Sequence, residues 1–251
     1  MAYNYNKILA PFARDIAKSK YINIIKFSRP EFEMLANVRW NWTLKIDGTN
    51  INIIWDGERV NYVGHTEKTQ FNERTKKFLD DTFCTPESET IFEDLYGDQP
   101  VKISMEFVSK DMNQNYGYTE GAVYIFDIFN GETGKIWTSE ETINSFVSRF
   151  EGNNVFVAPF IGYMNIWEAV DLVKAYEVIW NRHPEKWGDE NILIKNPLGK
   201  YTIEGIVGRL PYELFDNNGN RIITKVKCKD YDVQNIDENN DQFKAKIKSL
   251  I

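Results

Sequence analysis

Residues 44–50 read Leu-Lys-Ile-Asp-Gly-Thr-Asn, which places Lys45 between two apolar residues at the point where a strand enters a polar turn. A buried lysine is costly unless its amine has a partner or a chemical task. Ile51, Ile53 and Trp55 then lead into Asp56-Gly57, a strong signal for a hairpin turn, and Val60 and Tyr62 follow in alternation. The stretch therefore predicts an antiparallel hairpin preceded by a lysine whose position needs an explanation.

Strands and helices are predicted on both sides of this hairpin. Runs of apolar, β-branched and aromatic residues indicate strands at 101–108, 122–130, 154–164, 201–210 and 221–229. Apolar residues at helical spacing predict an amphipathic helix over 166–176, and Thr138 with Glu141 forms a capping box ahead of another helix. The pattern indicates an α+β fold with antiparallel sheets and flanking helices.

The composition excludes several classes of protein. The chain has 251 residues, of which 42% are hydrophobic, and this is ample for a folded core. Two cysteines and two histidines are too few for a disulfide framework or a Cys/His zinc site. No apolar run approaches the ~20 residues that a membrane-spanning helix needs, and the first residues lack a signal-peptide pattern. We therefore expect a cytoplasmic protein with no membrane partner.

Domain organisation and charge set further expectations. No repeat, low-complexity stretch or flexible linker divides the sequence, so we expect one domain over residues 1–251, no separate C-terminal domain, and a monomer. The 30 Lys and Arg residues against 37 Asp and Glu residues give a net charge of −7. An acidic chain is not expected to hold nucleic acid through a broad electrostatic surface, although this average does not describe local clusters.

Four further segments place charged or aromatic residues inside apolar strands. They hold Glu106 in 104–107, Phe126 with Asp127 in 124–129, Glu204 in 203–207, and Lys225 with Lys227 in 225–227. The last two lysines share a strand face because side chains alternate with a period of two. Taken alone, each segment is more typical of a structural role than of a catalytic one. The charged residues would be ion-paired or on a solvated strand face, and Phe126 would be part of the core. The order and combination of the segments favour a catalytic role instead.

In that order, the segments resemble the signature motifs of the covalent nucleotidyltransferases, which comprise DNA ligases, RNA ligases and mRNA capping enzymes. The segments are KIDGTN at 45–50, MEF at 105–107, YIFDIF at 124–129, EGIV at 204–207 and KVK at 225–227. The match spans residues 43–231 and is nearest to the small phage-type members of the RNA ligase 2-like group. The resemblance implies the nucleotidyltransferase fold of ligases and capping enzymes. It also implies that the protein acts in a bacterial or phage-infected cell.

The resemblance also implies an activity. It is the ATP-dependent sealing of RNA, in which a 5′-phosphate end and a 3′-hydroxyl end are joined through a covalent lysyl–AMP and an adenylylated RNA end. Lys45 is the nucleophile in this scheme. A lysine amine attacks phosphorus only when neutral, and neighbouring cations favour the neutral form. Lys225 and Lys227 are expected to supply those cations and to neutralise the triphosphate.

The remaining roles follow from the same resemblance, residue by residue. The residues expected to contact the nucleotide or its phosphate are Phe126 on the adenine, Glu106 on the ribose, Asp127 in support of the adenine pocket, Asn50 near the transferred phosphate, and His65. Glu204 is expected to hold metal-bound water, with Asp47 as a helper. The metal is Mg²⁺ or Mn²⁺, which takes few carboxylates and keeps most of its water, so the scarcity of histidine and cysteine is no objection.

One departure from the family pattern leaves alternatives open. The segment after the nucleophile strand usually reads Gly-Arg-Thr, whereas this chain has Gly64-His65-Thr66. Histidine does not replace a bidentate guanidinium, although it donates one hydrogen bond. His65 is either a nucleotide contact or a plain surface residue. A non-catalytic, degenerate ligase that binds RNA ends therefore stands beside the RNA ligase. An ATP-dependent DNA ligase is a separate alternative, ranked lower because the KxDGTN form and the compact length resemble RNA ligases. A capping guanylyltransferase is less favoured still, because such enzymes normally carry an additional domain.

Overall fold

Two β-sheets organise the chain, and each lies in a different unit. The computed structural model describes residues 7–14, 21–22, 24–66, 69–110, 120–137, 140–178, 203–236, 242 and 245. We call Asp47–Ala158 the central unit, and the described residues of 6–46 and 159–251 the flanking unit. The boundary between Ile46 and Asp47 divides the stretch 44–50, so Lys45 belongs to the flanking unit. One domain over residues 1–251 stays a prediction.

The described elements follow one another along the chain in the following order. They are α1 Pro30–Met34, β1 Trp40–Leu44, β2 Thr49–Trp55, β3 Val60–Gly64, α2 Glu73–Phe83, α3 Pro86–Tyr96, β4 Val101–Val108, β5 Ala122–Asn130, β6 Ile136–Trp137, α4 Glu140–Val147, β7 Val155–Val157, β8 Phe160–Met164, α5 Ile166–Tyr176, β9 Gly205–Arg209 and β10 Ile223–Lys227.

The central unit contains a six-stranded sheet with the strand order β3-β2-β4-β5-β6, and β7 pairs in parallel with β5. The other pairs are antiparallel. Asn72 caps α2 by accepting a hydrogen bond from Thr75 N, and Thr85 caps α3 in the same way, with Pro86 in the first turn. Apolar residues of β2, β4 and β5 form the core with the buried faces of α2, α3 and α4.

The flanking unit contains a four-stranded antiparallel sheet with the order β10-β9-β1-β8. One face is apolar and carries Trp42, Leu44, Ile206 and Val226, all buried. Helix α5 packs against β8, β9 and β10, and the reciprocal hydrogen bonds of Asn165 and Glu168 form a capping box at its start. The opposite face of this sheet carries the polar residues of the candidate site.

The structure confirms several of the predicted elements. The Asp56-Gly57 turn joins β2 to β3. The side chain of Asp56 accepts hydrogen bonds from the backbone amides of Glu58 and Arg59. The runs at 101–108 and 122–130 are β4 and β5, and the final hairpin consists of β9 and β10. The helix over 166–176 is α5. Thr138 lies outside the described residues, so its capping box stays a prediction.

The prediction of one strand over 154–164 is wrong. The segment forms two strands, β7 in the central unit and β8 in the flanking unit, and the boundary between the units falls between Ala158 and Pro159. Proline has no amide hydrogen to donate to a sheet, so Pro159 interrupts the strand. The apolar pattern continues across this interruption because both pieces contribute to buried surfaces.

Among the described residues, no helix combines the length and the hydrophobicity that crossing a membrane requires.

Candidate active site

A single carboxylate joins two lysines in the flanking unit. Glu204 Oε2 accepts a hydrogen bond from Lys45 Nζ, and Glu204 Oε1 forms an ion pair with Lys227 Nζ. The exposed fractions of the side chains are 22% for Lys45, 18% for Lys227 and 11% for Glu204. Little water therefore screens these contacts, and each ammonium group is held at a defined position.

The strand register explains why these three residues meet. Lys227 on β10 lies opposite Gly205 on β9, and the backbone amide of Lys45 donates to the carbonyl of Gly205 at 2.9 Å. Gly205 thus separates the two lysines without placing a side chain between them. It has φ +156°, and a Cβ at this position would lie 2.1 Å from the carbonyl oxygen of Val226. Only glycine fits this close approach, and Glu204 precedes it.

Lys225 adds a third cation on the same face of β10. It lies opposite Val207 and is half-buried. Burial, together with the positive charges of Lys227 and Lys45, lowers the pKa of Lys225 below its ordinary value. For Glu204, burial alone would raise the pKa, but the hydrogen bonds from Lys227 and Lys45 outweigh burial and lower it. At neutral pH this cluster therefore contains one carboxylate and three lysines, an arrangement suited to phosphate.

Lys225→Met is expected to stabilise the fold. The folded-state pKa of Lys225 is below the ordinary 10.5, so between these two values the unfolded chain binds more protons and stability rises with pH. At neutral pH the charge opposes folding, and we expect Lys225→Met to raise the Tm by about 2 °C, a small gain because water still screens the half-buried side chain. The advantage should shrink toward alkaline pH. Thermal unfolding across pH measures both effects.

Lys229→Met is the matched control, because Lys229 is exposed just beyond the same strand. It should leave the Tm at neutral pH nearly unchanged. A lower Tm for Lys225→Met than for the wild type at neutral pH would show that the charge of Lys225 stabilises the fold, contrary to this interpretation.

The sheet of the central unit has a polar face that mirrors its apolar core face. The register pairs Asn50 with Glu106, Asn52 with Ser104, and Ser104 with Asp127, so these five residues lie on one face. Their neighbours along the strands belong to the core on the other side. Asn52, Ser104 and Asp127 are at most 3% exposed. A buried polar face is typical of a binding site, because polar groups are costly to bury without partners.

Hydrogen bonds along this face fix the orientation of Asn50. Ser104 Oγ donates to Asn52 Oδ1 at 2.8 Å. Asn52 Nδ2 then donates to Asn50 Oδ1 at 3.3 Å and to the carbonyl of Gly64 at 3.2 Å. The Asn50 side-chain oxygen is therefore an acceptor for Asn52, and this contact fixes the orientation of the Asn50 amide group.

A β-bulge places Phe126 beside Asp127 on this face. Met105 pairs with Ile125 and Ser104 pairs with Asp127, so Phe126 has no counterpart on β4. In a regular strand, adjacent side chains point to opposite faces. The extra residue lets both Phe126 and Asp127 lie away from the core, which takes Ile125 and Ile128 instead. Phe126 is half-buried, as expected for a ring that offers one side to a ligand.

Gly48 shows why the segment 45–50 needs glycine after Asp47. A Cβ at this position would lie 2.2 Å from the carbonyl oxygen of Phe107 on β4. The backbone of residue 48 therefore passes directly against the strand that carries Glu106. Any side chain at residue 48 would push the start of β2, and with it Asn50, out of register with β4.

A model of the RNA ligase family matches residues 38–227. The chain belongs to the RNA ligase family. The matched segment contains the lysine–glutamate cluster and the polar face of the central unit, and this membership confirms the family that the sequence motifs predict. The assignment to the small phage-type members stays a prediction. A comparison with curated proteins finds no match.

The chain shares its fold with solved structures of an RNA ligase from Naegleria gruberi. A variant solved with AMP and Mn is 12% identical with a TM-score of 0.52, over 79% of this chain and 52% of that chain. A variant with ATP and Mn is 13% identical with a TM-score of 0.52, over 79% and 52%. An apo variant is 14% identical with a TM-score of 0.53, over 90% and 60%. This chain thus matches between half and two thirds of the neighbours' length.

At these identities the likeness establishes the fold, and it confirms the α+β nucleotidyltransferase fold expected from the sequence. The predicted site residues divide between the two units of the chain. Lys45, Lys225, Lys227 and Glu204 form the cluster of the flanking unit, whereas Asn50, Glu106, Phe126 and Asp127 share the polar face of the central unit.

Two predicted site residues, Asp47 and His65, belong to neither of these groups. Asp47 is half-buried and is the first residue of the central unit, two residues after Lys45. His65 is exposed and directly follows β3, and the backbone amide and hydroxyl of the next residue, Thr66, form hydrogen bonds with Thr69 Oγ1. An exposed histidine at this place is compatible with a surface residue and with a contact to a bound nucleotide.

The residues present fit a phosphate-bound divalent metal. Within the described part of the chain, no three His, Cys, Asp or Glu side chains come together as a cluster that would enclose a metal ion. Mg²⁺ and similar ions instead bind through one or two carboxylates and the substrate phosphates, and keep several waters. Glu204 offers such a carboxylate beside three lysines that suit phosphates.

The sequence motifs did not identify Asn52 or Ser104 as site residues. Both orient Asn50 through hydrogen bonds. The sequence offers a signal for Asn52, because this polar residue lies between Ile51 and Ile53 in an apolar strand. Lys45 lies between apolar neighbours in the same way. Ser104 has no such signal, since a small hydroxyl residue is common in strands.

Proposed function

We propose that this chain is an ATP-dependent RNA ligase that joins a 5′-phosphate end to a 3′-hydroxyl end through a covalent Lys45–AMP. The observation that carries the proposal is the pairing of Glu204 with both Lys45 and Lys227, because it holds one amine at a fixed position among other cations. Membership in the RNA ligase family supports RNA as the substrate. The ATP and AMP named for the structural neighbours support the nucleotide.

In the first step, Lys45 Nζ attacks the α-phosphorus of ATP. The N–P bond forms, the bond from that phosphorus to the bridging oxygen breaks, and pyrophosphate leaves with the bonding electrons. The ammonium group gives up one proton before the attack and a second as the phosphoramidate forms. Glu204 Oε2 accepts a hydrogen bond from this nitrogen and holds it in position, and both protons leave to water. Lys227 and Lys225 stabilise the charge that develops on the phosphates.

The later steps transfer AMP to RNA and then release it. An oxygen of the RNA 5′-phosphate attacks the phosphorus of Lys45–AMP, the N–P bond breaks, and Lys45 recovers its amine. The RNA 3′-hydroxyl then attacks the 5′-phosphate of the adenylylated end, loses its proton and displaces AMP. The balance is one phosphodiester bond formed for one ATP converted to AMP and pyrophosphate.

The polar face of the central unit holds the nucleoside in this proposal. Phe126 stacks on the adenine, Glu106 accepts hydrogen bonds from the ribose hydroxyls, and Asp127 supports the adenine pocket. Asn50, oriented by Asn52, contacts the transferred phosphate. These roles follow the family motifs, and the shared strand register of Asn50 and Glu106 supports them.

His65 and the metal complete the proposed site. His65 donates a hydrogen bond where relatives carry arginine, and its exposure leaves it accessible to a nucleotide. Glu204, with Asp47 as the second candidate, would hold a hydrated Mg²⁺ or Mn²⁺, which neutralises phosphate charge when bound.

Two measurements test the proposal. Incubation with α-labelled ATP and Mg²⁺ is expected to leave label on the denatured chain, since the N–P bond is covalent. A panel of single-stranded RNA, nicked duplex RNA and nicked DNA, each with 5′-phosphate and 3′-hydroxyl ends, then measures sealing. We expect both RNA substrates to be sealed at least about tenfold faster than DNA, because a ligase that reads the 2′-hydroxyl discriminates at that site.

Each alternative has its own outcome in this panel. Faster sealing of nicked DNA than of either RNA would identify a DNA ligase. RNA binding with no label on intact, folded protein would identify a degenerate ligase that binds ends without joining them. Label without any sealing would retain the Lys45 chemistry and contradict the joining steps.

A further inference from the structure

Two exposed aromatic rings lie side by side on β8. Phe160 is 47% exposed and Tyr163 is 60% exposed, and their ring centroids are 4.8 Å apart with the planes at 60°. Strand β8 is at the end of the four-stranded sheet in the flanking unit. Exposing two adjacent aromatic rings to water is unfavourable, so a pair like this one is typical of a binding surface.

A second β-bulge brings the two rings to one face. Phe160 and Tyr163 are three residues apart, so a regular strand would point them to opposite faces. The register pairs Trp42 with Gly162 and Thr43 with Phe160, which leaves Ile161 as an extra residue on β8. Bulges re-aim side chains and are common next to functional sites. Here the bulge is the reason that the aromatic pair exists.

The aromatic pair shares its sheet face with the lysine cluster. Thr43 lies opposite Phe160 on one side and opposite Val207 on the other, and Val207 lies opposite Lys225. Residues directly opposite each other in antiparallel strands project from the same face. One row therefore crosses the sheet from Phe160 to Lys225, over three strand spacings or about 14 Å. A strand of a few nucleotides spans this distance.

A cation also lies beside the aromatic pair. Arg39 Nη1 donates to the carbonyl of Tyr163 at 2.7 Å and contacts Glu168 Oε2 at 3.3 Å. The Arg39 side chain is 64% exposed. A guanidinium has five donors, so these two contacts leave others directed to solvent. The aromatic pair is thus bordered by Arg39 at β8 and by the lysine cluster at the other end of the row.

We propose that Phe160 and Tyr163 stack on unpaired bases of the RNA substrate while Arg39 and Lys225 contact its phosphates. This proposal rests on the proposed function and names its substrate class, which is RNA whose ends lie in single-stranded segments. Stacking on aromatic side chains requires an unpaired base with a free face, and bases inside a continuous duplex do not offer one. A nick in duplex RNA is therefore the poorer substrate.

The test measures RNA binding without ATP or metal. Fluorescence anisotropy compares a labelled single strand of about 12 nucleotides with the same strand in a duplex. We expect the wild type to bind the single strand about tenfold more tightly, and Phe160→Ala/Tyr163→Ala to lose about tenfold in single-strand binding. Tyr163→Phe should bind as the wild type does, because the ring remains. Tyr212→Ala, which removes an 81% exposed ring elsewhere in the flanking unit, should change nothing.

Label transfer from ATP distinguishes this proposal from the proposed function. Normal labelling of the double variant together with weak single-strand binding supports the stacking surface. Unchanged single-strand binding by the labelled double variant overturns it, and so does an equal loss for duplex and single strand. A wild-type dimer that the double substitution converts to a monomer, with RNA binding intact, overturns it in favour of contact between two copies. Absence of label in the wild type contradicts the ligase chemistry and leaves the binding result to decide the surface.

Discussion

Lys45→Arg is expected to reduce label transfer from ATP to the chain by at least about 10³-fold. Arginine keeps the positive charge that pairs with Glu204 and stays protonated throughout the accessible pH range, so it preserves the ion pair and removes the nucleophile. The folded structure should therefore survive. Lys45→Ala removes both charge and nucleophile, and should lose label to the same extent and stability as well, because Glu204 would keep only Lys227.

A preadenylylated RNA strand separates the role of Lys45 from a general defect. Such a strand bypasses the first two steps, so Lys45→Arg should seal it at a rate within about tenfold of the wild type. Lys229→Arg, which changes an exposed lysine near the same sheet, is the control and should keep full labelling. Label on folded Lys45→Arg protein would show that another residue is the nucleophile.

The sequence was sufficient to predict the strands that carry the site. The local signals are the apolar residues of 51–55, the Asp56-Gly57 turn and the apolar runs at 101–108 and 122–130. Each of them corresponds to a strand or hairpin of the central unit. The shared face of Lys225 and Lys227 follows from the period of a strand. Local patterns suffice here because the chain neighbours of each residue decide its conformation.

Other features depend on pairing between distant segments, which a single sequence does not show. The bulges at Phe126 and Ile161 appear only in the register with β4 and β1. The contact of Glu204 with both Lys45 and Lys227 also needs the order β10-β9-β1, in which β9 carries Gly205 between the two lysines. Glu204 was assigned to a metal from its motif, and its ion pairs with the two lysines were not foreseen.

The division between the units illustrates the same difference. An apolar pattern over 154–164 predicts one strand, yet the chain leaves the sheet of the central unit after Val157 and enters the other sheet at Phe160. The proline between them was visible in the sequence, but the partner strands β5 and β1 decide where each piece belongs. Tertiary pairing therefore overrides an uninterrupted hydrophobic pattern.

Glu204→Gln is expected to lower label transfer by at least about 10²-fold and to destabilise the fold at neutral pH by about 1–3 kcal/mol. The amide keeps the shape of the side chain but provides no negative charge, so Lys45, Lys225 and Lys227 repel one another across Gly205. The pKa of Glu204 is below its unfolded value of 4.5 in the folded protein. Its contribution to stability is therefore complete above 4.5 and is lost as the pH falls through the folded value.

The stability difference between the wild type and Glu204→Gln should accordingly close in acid, and thermal unfolding between pH 3 and pH 7 measures it. Glu213→Gln is the matched control, because Glu213 forms an ion pair with Arg221 in the same unit but does not contact the lysine cluster in the described structure. It should lower stability and keep label transfer. Wild-type labelling by Glu204→Gln would show that the lysines need no carboxylate. If Glu204→Gln remains less stable than the wild type in acid, its lower stability comes from altered packing, because Glu204 is then protonated and carries no charge in the wild type either.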